Sequence, residues 1–308
     1  MKNGAALFFC VDAGVIMNEV LINMLECALD EDLGTAGDIT SFAIFEEGDV
    51  GRALISAKQA GVLSGITLIK PLFELVDARL SAAPAVSKAS TRAEVCLDDG
   101  DILEPGVVIC RIEGPVRSIL SGERVILNLL QRLSGIATAT AAMVEALKGT
   151  NTRLLDTRKT SPGLRLLEKA AVRHGGGANH RIGLYDMILI KDTHIKRCGG
   201  IVPALTKAFA WRGGSATPQI EVEVQSTGEF MEALALGPER IMLDNMSLSD
   251  MEFCVGQRNV SGQNIALEAS GGISISTLPG IAATGVDFVS SGAITHSAPA
   301  LDIHLVMV

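Results

Sequence analysis

Apolar residues recur at two different periods along this chain. Between residues 18 and 33, Val20, Leu21, Met24, Leu25, Ala28, Leu29 and Leu33 fall at helical spacing, and Gly34 follows as a stop. The stretch GTAGDITS after it reads as a loop. From Arg52 to Leu120 the runs shorten. RALISA, GVLSG, RAEVCL, VVICRI and VRSIL predict strands, parted by turns at DDGD and EPG, and ITLIKPLFELVD predicts a helix with proline near its first turn. Together these predict an α+β domain with a mainly antiparallel sheet. Ser121–Leu147 then predicts one long helix with Val125, Leu129, Leu133 and Ile136 as its apolar stripe. Arg124 falls in the expected first turn of that helix, where a cation opposes the helix dipole. It is either a plain surface arginine or it serves something else.

After Thr150 the pattern alternates. Strand-like runs at Arg153–Leu155, Met187–Ile190, Ile220–Val224, Arg240–Leu243, Ile265–Leu267 and Val286–Val289 are separated by helical stretches at Gly163–Val172, Val202–Trp211, Thr227–Ala235, Ser249–Val255 and Ser276–Ala283. Repeated strand–helix units predict a parallel sheet, as an α/β barrel or a doubly wound sheet. No GxGxxG follows the first strand, so the dinucleotide fingerprint is absent. Ligands of parallel α/β folds lie at the carboxyl ends of the strands. Each expected strand carries polar residues there: Arg158 and Lys159, Lys191, Glu221 and Glu223, Asp244 and Asn245, Ser270–Gly272, and Ser291–Gly292.

Charge sharpens this reading. The chain carries −9 overall, yet Arg153–Arg197 holds ten Lys/Arg against four Asp/Glu and is about +6. A cationic island in an acidic protein, set among glycines and strand-like runs, points to a small anionic ligand. The acidic total and the single Trp and Tyr argue against nucleic-acid binding. No run is long enough to span a bilayer, and the six cysteines show no CxxC or zinc spacing. With no secretory signal, the expected home is the reducing cytoplasm.

The residue types sort by chemistry. Arg158, Lys159, His180, Arg181 and Lys191 suit carboxylates and phosphates. Glu221 and Glu223 share one face of a strand and, with Asp244, suit either Mg²⁺ or ribose hydroxyls. The competing reading is a salt-bridge network between these acids and the lysines. Ser270, Gly271 and Gly272, then Ser291 and Gly292 with His296 close by, form two glycine loops entering expected helices, which suits a phosphate. No Ser–His–Asp arrangement or activated cysteine is evident.

The segments DTRKTSPGLR, GGGANHRIGLYDMILIKDTHI, EVEVQS, IMLDNM, LEASGGI and SGAITHSAPALDI resemble those of the quinolinate phosphoribosyltransferases, as do EDLGTAGDITS and GERVILNLLQRLSGIAT. The likeness covers about residues 18–305. It implies an N-terminal α/β sandwich domain plus an incomplete α/β barrel of the type II phosphoribosyltransferase kind. The implied divisions are an extension at 1–17, the sandwich at 18–128, the barrel at 129–292 and a tail at 293–308 returning to the sandwich.

The likeness further implies transfer of phosphoribose from phosphoribosyl pyrophosphate to quinolinate with decarboxylation, using Mg²⁺, in a cytoplasmic homodimer or larger assembly. By motif, Arg124 would reach the partner's pocket, and Arg158, His180 and Arg181 would surround quinolinate. Thr157, Lys159 and Lys191 would complete the pocket. Glu223 and Asp244 would hold ribose hydroxyls or metal, with Glu221 a close competitor for Glu223. Ser270–Gly272, Ser291, Gly292, Ala293 and His296 would hold the 5′-phosphate. Lys159, Lys191, Glu223 and Asp244 are the expected catalytic groups.

Overall fold

The computed structural model describes residues 19–81 and 90–308, so the extension expected at 1–17 lies outside the described residues. The chain divides into two compact units, Met1–Arg132 with Leu301–Val308, and Leu133–Ala300.

In the first unit the helical pattern after residue 18 becomes α1 (Glu19–Leu33). The expected loop after Gly34 instead contains a short helix, α2 (Ile39–Ile44). Asp38 caps it by accepting the Ser41 N–H at 3.0 Å, which offsets one of the unpaired donors of a helix start. Next come β1 (Val50–Ala57), β2 (Gly61–Val62), α3 (Ile69–Ser81), β3 (Arg92–Val95), β4 (Ile102–Leu103) and β5 (Val108–Pro115). VRSIL is not a strand. It opens α4 (Val116–Glu145), which starts five residues before the expected Ser121. Pro115 closes β5, and the apolar spacing Val116, Ile119, Ile126, Leu130, Leu133 runs unbroken from there, all of it buried. Arg124 is therefore more than two turns inside the helix, and the helix dipole says nothing about it.

The second unit starts inside α4 and continues with β6 (Arg153–Leu155), α5 (Arg165–His174), β7 (Met187–Ile190), α6 (Asp192–Cys198), α7 (Ile201–Arg212) and β8 (Gln219–Val224). It ends with α8 (Thr227–Leu236), β9 (Arg240–Asp244), α9 (Leu248–Ser261), β10 (Ala266–Ser270), α10 (Leu278–Ala283), β11 (Phe288–Ser290) and α11 (Ala293–His296). The sheet order is β6-β11-β10-β9-β8-β7, parallel throughout. The first strand lies beside the last while the others follow in sequence. A doubly wound sheet reverses direction from its first strand; this cyclic order is that of a barrel. No pairing joins β6 to β7 among the described residues, so the ring stays open there. The exposed edge of β6 is covered by a parallel bridge from Leu155 to Ala178, which keeps its backbone from pairing elsewhere. No helix of the described residues is long and apolar enough to cross a membrane.

The chain ends with β12 (Ile303–Met307), which returns to the first unit and pairs antiparallel with β1. The sheet there runs β12-β1-β5-β3, antiparallel as expected. Its buried positions Ala53, Ile55, Ala57, Ile109, Ile112 and Ile303 share a core with Leu25 and Leu29 of α1 and Leu72, Phe73 and Val76 of α3.

Candidate active site

Parallel strands covered by helices are usually apolar on both faces. In β8 the sequence IEVEV alternates instead, yet Ile220 through Val224 are all buried. Ile220, Val222 and Val224 take one face, while Glu221 and Glu223 share the other. Register stacks this second face in levels. Asp244, Ser270, Ser290 and Leu155 are mutual partners at the carboxyl ends. Glu223, Met242, Glu268 and Phe288 lie one level in, and Glu221 pairs with Arg240 at the next. Because Leu189 pairs with Glu221, Lys191 comes level with Glu223, and its ammonium lies 3.0 Å from that carboxylate. One lysine–acid contact of the competing salt-bridge reading is thus present, Lys191 with Glu223. Glu221, the close competitor, sits about 6.6 Å deeper, two residues down the strand, and is fully buried.

The NHR segment is placed by buried groups that the linear pattern does not single out. Asp156 accepts from the Lys169 ammonium, from the His180 backbone N–H at 2.8 Å and from the Asn179 amide at 2.6 Å, and Lys169 also donates to the His180 carbonyl at 3.0 Å. Both backbone groups of His180 are thus tied to the end of β6. Burial pushes the Asp156 carboxyl up and the Lys169 ammonium down, and each opposes that push on the other. The preceding glycines let the chain lie against α4. A Cβ on Gly175 would meet the Ala137 carbonyl at 2.3 Å, and one on Gly177 would meet Thr140 at 2.8 Å. The lone lysine of RLLEKAAVRH reads as a surface residue of a helix. Only the meeting of α5 with the end of β6 makes it an internal cation.

The His180 imidazole points into the sheet. Its Nε2 lies 3.0 Å from Glu221 Oε2 and 3.4 Å from Glu268 Oε2, in line with neither. The Arg240 guanidinium donates to the same Glu268 oxygen at 2.9 Å. Glu268 stays below the usual carboxylate range: burial works against it, but the His180 contact and the Arg240 charge prevail. Glu221 is raised, by burial first and then by the charge of Glu268. Burial alone would lower His180, while the two acids reverse this and push it up to about 9. However, the Arg181 backbone N–H donates to Nδ1 at 2.7 Å, and a doubly protonated ring would turn an N–H against it. The ring proton therefore sits on Nε2, facing the two acids, and Glu268 is paired with Arg240.

Two guanidiniums complete this end of the site. Arg181 is lowered by burial and by the nearby charge of Arg158. Neither forms an ion pair among the described residues, and Arg158 Nε is buried without a partner. The charges of Glu221 and Asp186 offset the shift of Arg181 in part, but two guanidiniums held close with no salt bridge to either suit an anion. Thr157 is taken up locally, its hydroxyl accepting the Lys159 N–H at 3.0 Å.

Opposite, Thr295 donates to the Lys159 carbonyl at 2.8 Å, which laces α11 to the β6 loop. A Cβ on Gly292 would lie 2.7 Å from the Lys159 stem and 3.1 Å from the His296 ring, so only glycine lets these two close over it. The Ser291 N–H donates to the Leu155 carbonyl at 3.0 Å, and Ala293 opens α11. The loop at Ser270 does not enter a helix directly, since α10 begins only at Leu278. Gly271 and Gly272 instead form a left-handed turn, with φ of 91° and 60°, and Gly271 packs against Asn245, itself left-handed at φ 54°. The Asn245 amide donates to Asp244 at 3.0 Å. Arg124 is exposed in the first unit.

Comparison with known proteins agrees with this geometry. Residues 38–134 match the N-terminal domain model of quinolinate phosphoribosyl transferase and residues 136–306 its C-terminal domain model. A probable nicotinate-nucleotide pyrophosphorylase (carboxylating) of Bacillus subtilis is 44% identical over 275 residues, 89% of each chain. The Mycobacterium leprae nicotinate-nucleotide pyrophosphorylase (carboxylating) is 39% identical over 280 residues, covering 90% of this chain and 94% of that one. The crystal structure of NadC from Streptococcus pyogenes superposes with a TM-score of 0.82 at 40% identity, covering 93% of this chain and 96% of that one. An open parallel barrel with its cations and acids at the strand ends, matched over both domains at such identity, places this chain in the quinolinate phosphoribosyltransferase family.

Proposed function

We propose that this protein transfers phosphoribose from phosphoribosyl pyrophosphate to quinolinate and releases pyrophosphate and CO₂, giving nicotinate mononucleotide for de novo NAD synthesis. The observation that carries the reading is the pair Arg158 and Arg181, held close with no salt bridge to either among the described residues, and with Arg158 Nε buried and without a partner among them. An aromatic dicarboxylate supplies the missing charge, and a guanidinium binds a carboxylate through two parallel hydrogen bonds. His180 and Thr157 wall this pocket. Lys159 and Lys191 face the phosphates, and Ser270–Gly272, Ser291, Gly292, Ala293 and His296 cradle the 5′-phosphate.

Glu223 and Asp244 take the ribose hydroxyls and Mg²⁺. Among the described residues each keeps one carboxylate oxygen without a partner, and hard oxygens of this kind suit Mg²⁺, which typically uses one or two carboxylates plus substrate phosphates. Bound there, the ion would supply charge neutralisation of the pyrophosphate. Lys159 and Lys191 stabilise the departing charge, while Glu223 and Asp244 favour the cationic sugar as the pyridine nitrogen bonds to the anomeric carbon. The ring nitrogen is then cationic, and its charge stabilises the electron pair left on the adjacent ring carbon when the carboxylate departs as CO₂; that carbon then takes a proton from water, and the nitrogen keeps its positive charge in the nucleotide. No general base is needed.

We read the protein further as a cytoplasmic dimer or larger assembly, with Arg124 of one subunit completing the quinolinate pocket of the other. Its five described cysteines are free, which suits a reducing compartment. The reaction is tested by incubating the full chain with quinolinate, phosphoribosyl pyrophosphate and Mg²⁺ and following nicotinate mononucleotide and CO₂. Product that needs all three supports the reading; a folded protein that forms none overturns it.

A further inference from the structure

We propose that Glu268 and Arg240 are positioning residues for the transfer: together they seat the His180 imidazole, and through it they hold the Arg181 end of the acceptor pocket. This rests on the reading above that Arg158 and Arg181 receive the carboxylates.

The contacts form one continuous chain. Arg240 begins β9, and its guanidinium lies 4.5 Å from the centre of the Phe288 ring on β11. It reaches across to Glu268 Oε2 on β10 at 2.9 Å. That oxygen lies 3.4 Å from His180 Nε2, with Glu221 on β8 supporting the same nitrogen from 3.0 Å. At the far edge of the ring, Nδ1 accepts the Arg181 backbone N–H at 2.7 Å. The Arg181 guanidinium then donates to the Met187 carbonyl at 3.1 Å. An imidazole wedged between acids on one edge and the Arg181 backbone on the other determines where that guanidinium starts. Glu268 is fully buried, so it acts through His180 and not on substrate.

Stability alone does not account for the cluster. A buried ion pair is often no better than an apolar replacement of the same volume. Among the described residues, Glu268 Oε1 and both Glu221 oxygens also lack hydrogen-bond partners, and burying unpaired polar atoms is costly. His180, Glu221 and Glu268 stand close enough for one cation to reach all three. However, the Arg240 guanidinium already occupies the Glu268 oxygen, and a second cation there would face it directly. The cluster is a seat for the ring.

The test uses Glu268→Gln in the full chain, which keeps shape and one acceptor but removes the charge that holds Arg240 and His180. Michaelis constants for each substrate, kcat and melting temperature are measured beside the wild type. The expected result is a rise of about tenfold in KM for quinolinate, with KM for phosphoribosyl pyrophosphate within about twofold, because only the acceptor side loses its support. An unchanged KM for quinolinate, or equal rises for both substrates accompanying a lower melting temperature, overturns the positioning role. If Glu268→Gln does not fold, Arg240→Lys decides: it keeps a cation but loses the guanidinium geometry, and about a threefold rise confined to quinolinate is expected. Equal constants for that variant and the wild type overturn the proposal. An inactive wild type in the same assay overturns the reaction itself, so the two failures are separate.

Discussion

At the scale of single residues, position within a shared face decides chemistry. Glu221 and Glu223 are two apart on one strand and equivalent by periodicity. Register separates them, because Lys191 comes level with Glu223, while Glu221 sinks to the buried level of Arg240. Arg158 shows the converse. It repels Arg181, and its Nε is buried without a partner, so the folded protein gains little by keeping it. Arg158→Ala should cut kcat/KM by about 100-fold or more, the loss of a charged contact to a carboxylate, while the melting temperature holds or rises. Thermal melting beside steady-state kinetics checks this; near-normal kinetics, or a collapse in stability matching the lost activity, would remove Arg158 from the pocket.

At the scale of elements, close approach governs what a position tolerates. Gly135 lies within α4, where glycine ordinarily costs about 1 kcal/mol relative to alanine. A Cβ there would lie 2.0 Å from the Pro299 carbonyl oxygen, a backbone atom with little freedom to move aside. Gly135→Ala should therefore destabilise where propensity predicts the opposite, by about 1–3 kcal/mol, read as a lower melting temperature. A higher melting temperature would mean that the 299–300 backbone yields. The misread start of α4 belongs to this scale too. VRSIL has strand-like composition, yet its apolar spacing continues that of the following helix, and a five-residue window is too short to distinguish the two.

At the scale of the whole molecule, the +6 island of residues 153–197 brings Arg158, Arg181 and Lys191 to one end of the second unit's sheet, where Lys191 pairs with Glu223 of β8. The proposed assembly adds a test that no single chain provides. If each site takes Arg124 from one subunit and Arg158 from the other, Arg124→Ala and Arg158→Ala are each nearly inactive alone. Co-expressed in equal amounts, they should recover about a quarter of wild-type activity, since half of randomly paired dimers are mixed and each holds one intact site. No recovery from mixed dimers verified by differential tagging would place Arg124 in the site of its own chain or outside any site.

The alternation of strands and helices after Thr150, the antiparallel first domain and the polar groups at the strand ends could be read from the chain directly. These are local patterns, and each residue's demand for water or burial is written at its own position. The meeting of Lys169 with Asp156, the depth of Glu221 and the seat that Glu268 and Arg240 make for His180 depend on tertiary structure. Each requires residues from different strands or helices to arrive at one point, and register between parallel strands joined by long crossovers is set by packing across the sheet. A buried lysine or glutamate looks like a surface residue until its partner is known, because the partner is what makes its burial tolerable.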